Sequence, residues 1–534
     1  MNTLPTEILA DIFSKLEFWY QGSLAAICGS CHRFRDIALP YLYREFAIPV
    51  EGRRRVFSPN HYYALTSPSN LGISHIKKLH FVPLDESNPE IKGSGKQDLF
   101  PFLKLLQPGQ LTALWMDEDV EGDVADKNAW EYLFQTQRNI ESLSFNLFDS
   151  GLYESFGTTV SPLQHLRVLN FVNGYTLKQM KYMRTWVDAN AASLETLGFG
   201  YLNVRAQVPD SIDESYIMAR RSWVEFFLRN EDGEISTANK GPKLSSLKKL
   251  FNTPNAKLED ICGYIGGLID VSKLTEMAIY IAPSNPPASD MISTALASLI
   301  NLKSLIYEAR GYQHPGIVLS AVRPLECLDL DLNSSYTASD IQVCLKKHKD
   351  SLKRLILPSG PHLTPMTINE GLGIWEWPNI QEFGVCLQYP TVKGFPPLML
   401  PRKLKALHLY MAGPGRDFPG ELREEADCSE FPFGSEEWIG RWRDSFRKRV
   451  PELRFPTIDT TRHRPPLRAL ICGEPLRAWG GSINFSPKYG ANNMIVGWEG
   501  TTVGKVLELH PDIELIGSRW SFKRLSAKEL SHKW

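Results

Sequence analysis

A short strand-like cluster of the form L-x-x-L-x-L recurs along this sequence and constrains its fold more than any other feature. Successive clusters begin 23 to 35 residues apart, except for one interval of 53. This spacing is close to the 20 to 29 residues of a leucine-rich repeat. The twelve clusters are IKKLHF at 76, LTALWM at 111, IESLSF at 140, LRVLNF at 166, LETLGF at 194, LKKLFN at 247, LTEMAI at 274, LKSLIY at 302, LECLDL at 325, LKRLIL at 352, IQEFGV at 380 and LKALHL at 404.

Helix-compatible stretches lie between the clusters, as in 176–194, 289–302 and 339–352. One strand and one helix per unit is the pattern that stacks into a solenoid. The sequence therefore predicts an α/β fold in which residues 76–411 form a parallel β-sheet horseshoe with outer helices. Only the repeat at 325 also carries the asparagine of the full repeat signature, Asn333.

Three segments depart from the repeat pattern. The long interval predicts an insertion at about 201–243, whose polar end NEDGEISTANKGPK is typical of a loop. Residues 47–75 are expected to be a linker, and 412–534 a C-terminal extension or cap. Within that extension, 435–450 is predicted to be an amphipathic helix, and MIVGWEG and IELIG resemble strands.

The first 46 residues predict three short helices. Pro5 and Glu7 suit the first turn of a helix, and an apolar stripe follows at spacings of three and four residues. Ser23 is a candidate N-cap for a second helix, and a third is expected from about Cys31, with Pro40 opening a continuation. Three helices this short bury little against one another, so their apolar stripes need a further surface.

The segment resembles an F-box, through LPTEIL at 4–9 and ALPYLYREF at 38–46 together with the apolar residues between them. It has a longer interval between Leu16 and Leu24 than is usual, and Phe34 where the family commonly has tryptophan. The resemblance implies that residues 1–46 bind a Skp-family adaptor and, through it, a cullin scaffold. The residues implied in docking are Leu4, Pro5, Ile8, Leu9, Ile12, Phe13 and Leu16.

Two functions agree with this organisation. In the first, the chain is the substrate-recognition subunit of a Skp-cullin-F-box type ubiquitin ligase and binds a target protein, of unknown identity, on the solenoid. In the alternative, it is a leucine-rich scaffold outside the ligase, and the N-terminal helices cap the apolar end of the solenoid.

The charge balance argues against two classes of partner. Lys and Arg number 59 and Asp and Glu 60, giving a formal charge of −1. We therefore expect neither nucleic-acid nor membrane binding from the overall charge. The first residues lack a basic start, and no run is long enough to span a membrane, so we expect a cytoplasmic or nuclear protein whose eight scattered cysteines are free thiols.

The sequence predicts a protein without catalytic chemistry or a cofactor. It contains no P-loop, G-x-S-x-G or H-E-x-x-H motif. The string CGSCH at 28–32 matches a haem-attachment pattern or half a zinc site, but an exported protein or a second ligand pair would be needed. Cys31 is instead expected to be a small packed residue of the helical segment, and we expect no enzyme in the C-terminal hundred residues.

The solenoid offers a candidate target surface. The leucines of each cluster point inward, so the residues two, four and six positions after the first apolar residue line the open face of the sheet. Across three neighbouring strands these positions give an acidic patch with one aromatic residue: Glu276, Tyr280, Glu308, Asp329 and Asp331. The patch suits a basic segment of a target, although a solvated polar face would have the same composition.

Overall fold

A computed structural model gives the architecture of the chain. It describes residues 4–17, 21–51, 54–55, 67, 70–83, 99–116, 127–146, 163–172, 177–199, 244–251, 268–281, 294, 296–309, 315–332, 336–357, 363, 367–386, 399–410, 469–473 and 494–497. The insertion at 201–243, the helix predicted at 435–450, the strand-like IELIG and residues 289–293 and 295 of the stretch 289–302 lie outside these residues.

The described helices form an N-terminal group and a set between the strands. They are α1 (Thr6–Glu17), α2 (Gln21–Ser30), α3 (His32–Tyr43), α4 (Phe100–Leu103), α5 (Lys127–Thr136), α6 (Leu177–Asn190), α7 (Pro315–Ala321) and α8 (Ala338–Leu345). Pro40 lies inside α3, which continues without a break where a new segment was expected. No helix in the described part of the chain is long and apolar enough to cross a bilayer.

The strands form one open sheet. They are β1 (Glu45–Glu51), β2 (Arg54–Arg55), β3 (Lys78–Pro83), β4 (Ala113–Met116), β5 (Ser142–Asn146), β6 (Val168–Val172), β7 (Thr196–Phe199), β8 (Lys249–Phe251), β9 (Glu276–Ile281), β10 (Ser304–Ala309), β11 (Cys327–Leu332), β12 (Arg354–Leu357), β13 (Glu382–Cys386), β14 (Ala406–Tyr410), β15 (Ala469–Gly473) and β16 (Met494–Gly497). Their order is β16 to β3 in sequence, then β1 and β2. Neighbours are parallel except at the two ends, where β2 and β16 run antiparallel.

All twelve predicted clusters form strands, and each strand from β3 to β14 begins two residues after the first apolar residue of its cluster. The predicted α/β solenoid with a parallel sheet is therefore confirmed. Two strands extend the parallel sheet beyond the predicted repeats. β1 lies partly in the range expected as a linker, and β15 lies in the C-terminal extension, followed by β16 from the MIVGWEG stretch.

The core is built from one residue of each strand in register. Leu79 pairs with Leu114, which pairs with Leu143, and the same row continues through Leu169, Leu197, Leu250, Met277, Leu305, Leu328, Leu355 and Phe383 to Leu407. All of these side chains are buried. Phe46 of β1 and Leu470 of β15 occupy the same register position at the two ends. We call this row the core ladder.

The turn before each strand is fixed by a repeated backbone pattern. The carbonyl oxygen of Lys77 accepts hydrogen bonds from the amides of Thr112 and Ala113, at 2.7 and 3.2 Å. The same double acceptance recurs at the equivalent residue of the following repeats through Lys353. Because buried backbone donors must be paired, this pattern aligns each repeat with the one before it.

Buried polar side chains complete the turns where the backbone leaves an unpaired amide. Gln137 accepts from the Leu111 amide at 2.9 Å and donates to the Gln107 carbonyl at 2.9 Å. His348 has the same role in the turn before β11. Its Nδ1 accepts a hydrogen bond from the Leu325 amide at 3.0 Å, and its Nε2 lies 2.9 Å from the Leu319 carbonyl oxygen. The two contacts require a neutral ring with its proton on Nε2.

The bridge made by His348 predicts a pH-dependent stability. Burial, with a smaller effect of Lys347, lowers the pKa of His348 below its ordinary value of 6.5. The unfolded chain therefore binds the proton more readily, so we expect the free energy of unfolding to fall as pH drops below about 6.5. His348→Gln keeps one acceptor and one donor, as Gln137 does, and should remove this part of the pH dependence.

Urea unfolding of wild type and His348→Gln at pH 7.5, 6.5 and 5.5 would measure the difference. His348→Ala, which leaves the Leu325 amide unpaired, should cost about 1–3 kcal/mol at pH 7.5 and less at pH 5.5, because the variant also lacks the titrating ring. Equal pH slopes for wild type and His348→Gln would contradict the assignment.

Candidate protein-interaction surfaces

The three N-terminal helices pack around a small core of their own. Leu9 and Phe13 of α1, Leu24 of α2 and Ala38 of α3 are buried together. Phe13 meets Phe34 edge to face, with ring centroids 5.8 Å apart. One side of the apolar stripe of α1 therefore packs into this core and holds the three helices together.

The other side of the stripe is open. Ile8 is 49% exposed and Ile12 39% exposed, one turn apart on α1, with Pro5 exposed beside them. We call Pro5, Ile8 and Ile12 the α1 face. Leu4 is half-buried and packs against the helical core, and Leu16 belongs to α1, although its side chain lies outside the described residues. The structure thus separates the predicted docking residues into exposed ones and ones buried within the segment.

Cys31 has a structural role at the start of α3. Its backbone is extended, and its Sγ accepts a hydrogen bond from the Phe34 amide at 3.5 Å, so it caps the helix. The Arg33 guanidinium donates to the Leu4 carbonyl at 2.6 Å and ties α3 to the residues before α1. Cys28 and Cys31 are free thiols, and no group of residues in the described part of the chain is arranged to hold a metal ion.

The helical segment continues directly into the sheet. β1 begins two residues after the end of α3, and the Arg44 carbonyl between them accepts the amides of Lys77 and Lys78, each at 2.9 Å. The Tyr43 ring lies where a side chain at Gly72 would be, so a larger residue there would require the ring to move. Phe46 then enters the core beside Phe102, at 5.9 Å between ring centroids.

Two of the predicted target-binding residues have partners on the open face. Glu276 forms an ion pair with Lys249 of the neighbouring strand at 2.9 Å. Asp329 lies 3.6 Å from Arg354, whose other neighbour is Glu382 at 3.7 Å. The acidic patch is therefore partly neutralised by cations that the sequence search did not include.

The other three predicted residues meet in the register of the sheet. Tyr280 is paired with Glu308, and Glu308 is paired with Asp331. The register therefore places one aromatic and two acidic residues at the same position of three neighbouring strands.

Arg354 is the open-face residue that sequence reasoning missed. It is 4% exposed, between two acids on the strands at either side. Asp329, Arg354 and Glu382 each occupy an open-face position of their own cluster. This shared position is the sequence feature that could have indicated Arg354 as a partner of the two acids.

An aromatic cluster occupies the open face nearer the N-terminus. The Lys78 Nζ lies 5.2 Å from the centre of the Trp115 ring, and His80 meets the same ring edge to face at 6.0 Å. The Trp115 Nε1 donates to the Ser142 hydroxyl at 3.0 Å. The indole is therefore held in one orientation by residues of the two strands next to its own, β3 and β5.

The fold and these surfaces define a class: a repeat solenoid with an open sheet face, preceded by a helical segment with an exposed apolar face. Residues 1–49 match the family model described as F-box-like. The N-terminal segment is therefore an F-box-like domain, as its residues predicted, and it is followed by irregular leucine-rich repeats. No curated protein sequence matches the chain.

Two solved structures illustrate what the whole chain is similar to. "Crystal structure of TLR13-ssRNA13 complex" matches at 12% identity and a TM-score of 0.31 over 70% of this chain, which spans 45% of that one. "Crystal structure of Rad7 and Elc1 complex in yeast" matches at 13% identity and a TM-score of 0.32, over 60% of this chain and 82% of that one. At these identities and TM-scores, neither likeness bears on function.

The two sides of the α1 stripe predict different effects on stability. Leu9→Ala removes a buried side chain from the small helical core and should cost about 2–5 kcal/mol of local stability. Ile8→Ala changes an exposed residue and should cost less than about 0.5 kcal/mol. Amide hydrogen exchange over residues 4–44 would compare the two, and equal protection in both variants would contradict this division of the stripe.

Proposed function

We propose that this chain is a substrate-recognition subunit of a Skp-cullin-F-box type ubiquitin ligase. The observation that carries the proposal is the α1 face, in which Ile8 and Ile12 remain exposed in a segment that matches an F-box-like model. Exposed apolar side chains at successive turns of a helix are typical of a surface that a partner covers. A Skp-family adaptor is the partner that this family of segments implies, and a cullin scaffold would join through it.

In this proposal Pro5, Ile8 and Ile12 contact the adaptor, and Leu4 and Leu16 flank them. Leu9 and Phe13 contribute by holding the three helices together, since both are buried among them. The chain supplies no chemistry of its own. It raises the effective concentration of a target lysine near the conjugating enzyme. Such a subunit would work in the cytoplasm or nucleus.

Adaptor docking can be tested with a double substitution on the α1 face. Ile8→Glu with Ile12→Glu puts two charges into the proposed interface and should reduce adaptor binding by at least about 100-fold, because buried unpaired charges cost several kcal/mol. Purified chain and a Skp-family adaptor would be compared by calorimetry.

The matched control places the same substitutions on exposed isoleucines elsewhere. Ile300 is 43% exposed and Ile317 39% exposed, so Ile300→Glu with Ile317→Glu tests the effect of two new charges alone. This control should bind as wild type does. Wild-type affinity in the Ile8 and Ile12 variant, or no binding by the wild-type chain, would sink the proposal.

A second function has its own supporting observation. The helical segment runs into β1 without a linker, and Phe46 begins the core ladder, as expected if the helices cap a solenoid that works as a scaffold outside the ligase. Affinity purification and mass spectrometry would compare the whole chain with a version lacking residues 1–44. Loss of cullin components alone supports the ligase, whereas their absence from both samples supports the scaffold.

Target capture is assigned to the open face of the sheet. The residues Glu276, Tyr280, Glu308, Asp329 and Asp331 are the proposed contacts for a basic segment of a target. The register of the sheet supports this, because it places Tyr280, Glu308 and Asp331 side by side on three neighbouring strands.

Charge reversal would test the acidic patch. Asp329→Lys with Asp331→Lys should weaken target binding about 10-fold or more and reduce its dependence on salt, because attraction for a basic segment becomes repulsion. Targets recovered with the wild-type chain would be quantified with the variant at 50 and 300 mM salt. Unchanged recovery at both concentrations would assign the patch to solvent.

A further inference from the structure

The open face has a second region with different chemistry, across strands β3 to β8. For each repeat we number a residue by its distance from the first apolar residue of its cluster, so that row 2 and row 4 are open-face positions. From β3 to β8, row 4 reads His80, Trp115, Ser144, Asn170, Gly198 and Phe251, and row 2 reads Lys78, Ala113, Ser142, Val168, Thr196 and Lys249.

Large side chains border this region, and small ones form its floor. In row 4, Ser144, Asn170 and Gly198 lie between Trp115 and Phe251, a distance of four strands or about 19 Å. In row 2 the small residues lie between Lys78 and Lys249. Small residues thus lie between an indole and a phenyl ring in row 4 and between two lysines in row 2, and we call this region the trough. Its floor is largely buried, and Phe251 at its edge is 8% exposed.

The floor of the trough contains a buried donor without a partner. Asn170 is 6% exposed, and its Nδ2 finds no hydrogen-bond partner among the described residues. Its carboxamide lies across the next strand in the space that a side chain at Gly198 would fill. A buried unpaired N–H costs about 1–3 kcal/mol, so a group with this cost calls for an explanation other than stability.

The charged residues at rows 2 and 4 of this region are cationic, whereas the third open-face position of the cluster that starts at Leu111 is an acid, Asp117. The twelve residues of rows 2 and 4 on β3 to β8 include two lysines, one histidine and no carboxylate. Lys249 is paired with Glu276 on the far side of the trough. Lys78 is associated with the Trp115 ring and stays at the opposite rim, where it is half-buried.

We infer that the trough binds an acidic segment of the target, with one carboxylate side chain inserted beside Trp115 to accept a hydrogen bond from the Asn170 Nδ2. A recessed floor is reached by an inserted side chain rather than by a main chain. An acceptor satisfies the unpaired donor, and a negative one is favoured by the Lys78 rim. This inference rests on the proposal that the open face captures a target.

Under this assignment, replacing Asn170 should weaken target binding without lowering the stability of the fold. Asn170→Leu replaces the carboxamide by an apolar group of similar size, so it should leave the thermal midpoint unchanged or raise it. Asn369 is the matched control because it is also a buried amide, 7% exposed, but its Oδ1 accepts a hydrogen bond from the Met399 amide at 2.9 Å. Asn369→Leu should lower the midpoint.

Peptide selection on the full chain would test the binding site. A random 12-residue phage-displayed library is selected on wild type, and the enriched peptides are synthesised and measured by fluorescence anisotropy. We expect peptides that carry Asp or Glu, and an affinity about 10-fold lower for Asn170→Leu and for Trp115→Ala. Ser304→Ala, on the same face outside the trough, should bind as wild type does.

Three results would overturn the inference: enriched peptides without acidic residues, unchanged affinity in Asn170→Leu, or no enrichment at all. Adaptor binding is measured on the same preparations. If the adaptor fails to bind while acidic peptides bind through Asn170, the ligase proposal fails and the trough stands. If the adaptor binds and the peptides do not depend on Asn170, the trough alone is rejected.

Discussion

The core ladder is the interaction on which the rest of this structure depends. Each strand contributes one large apolar side chain at the same register position, and each of these side chains packs against those of the strands before and after it. No single repeat can bury its leucine alone, so the solenoid is stable only as a stack. A fixed core register also fixes the opposite face, because successive side chains of a strand alternate between the two faces. The open-face residues are therefore ordered by the leucines behind them.

The ladder also explains which parts of the fold were predictable. The L-x-x-L-x-L clusters mark every strand from β3 to β14, because the same leucines that define the motif are the buried ones. β1 has Tyr43 where the other strands have the first apolar residue of their cluster, so its sequence EFAIPVE gave no repeat signal. β15 does follow a leucine, Leu467, but its segment LRALIC ends in cysteine and comes 63 residues after the cluster at 404, far outside the regular spacing. Both strands nevertheless continue the register of the sheet, with Phe46 and Leu470 at the position of the core ladder.

The candidate sites were predictable in position but not in detail. The helical period of α1 identified its apolar stripe, yet it could not divide Leu9 from Ile8, because that division depends on how α2 and α3 cross α1. On the open face, Glu276 and Asp329 each lie beside a cation of a neighbouring strand, Lys249 and Arg354. These ion pairs depend on which strands are adjacent and on how their side chains are oriented, and the period of a single cluster does not contain that information.

The open face contains ion pairs between neighbouring strands. It also contains a buried donor that has no partner among the described residues. Lys249 with Glu276 and Arg354 with Glu382 join neighbouring strands in row 2, so these charges cancel within the sheet. The amide of Asn170, whose Nδ2 has no partner among the described residues, does not follow this rule. Sites that violate local pairing rules in an otherwise consistent fold are where function is expected. Asn170 therefore marks the part of this face where an acceptor supplied by a partner would remove a cost that the chain alone does not.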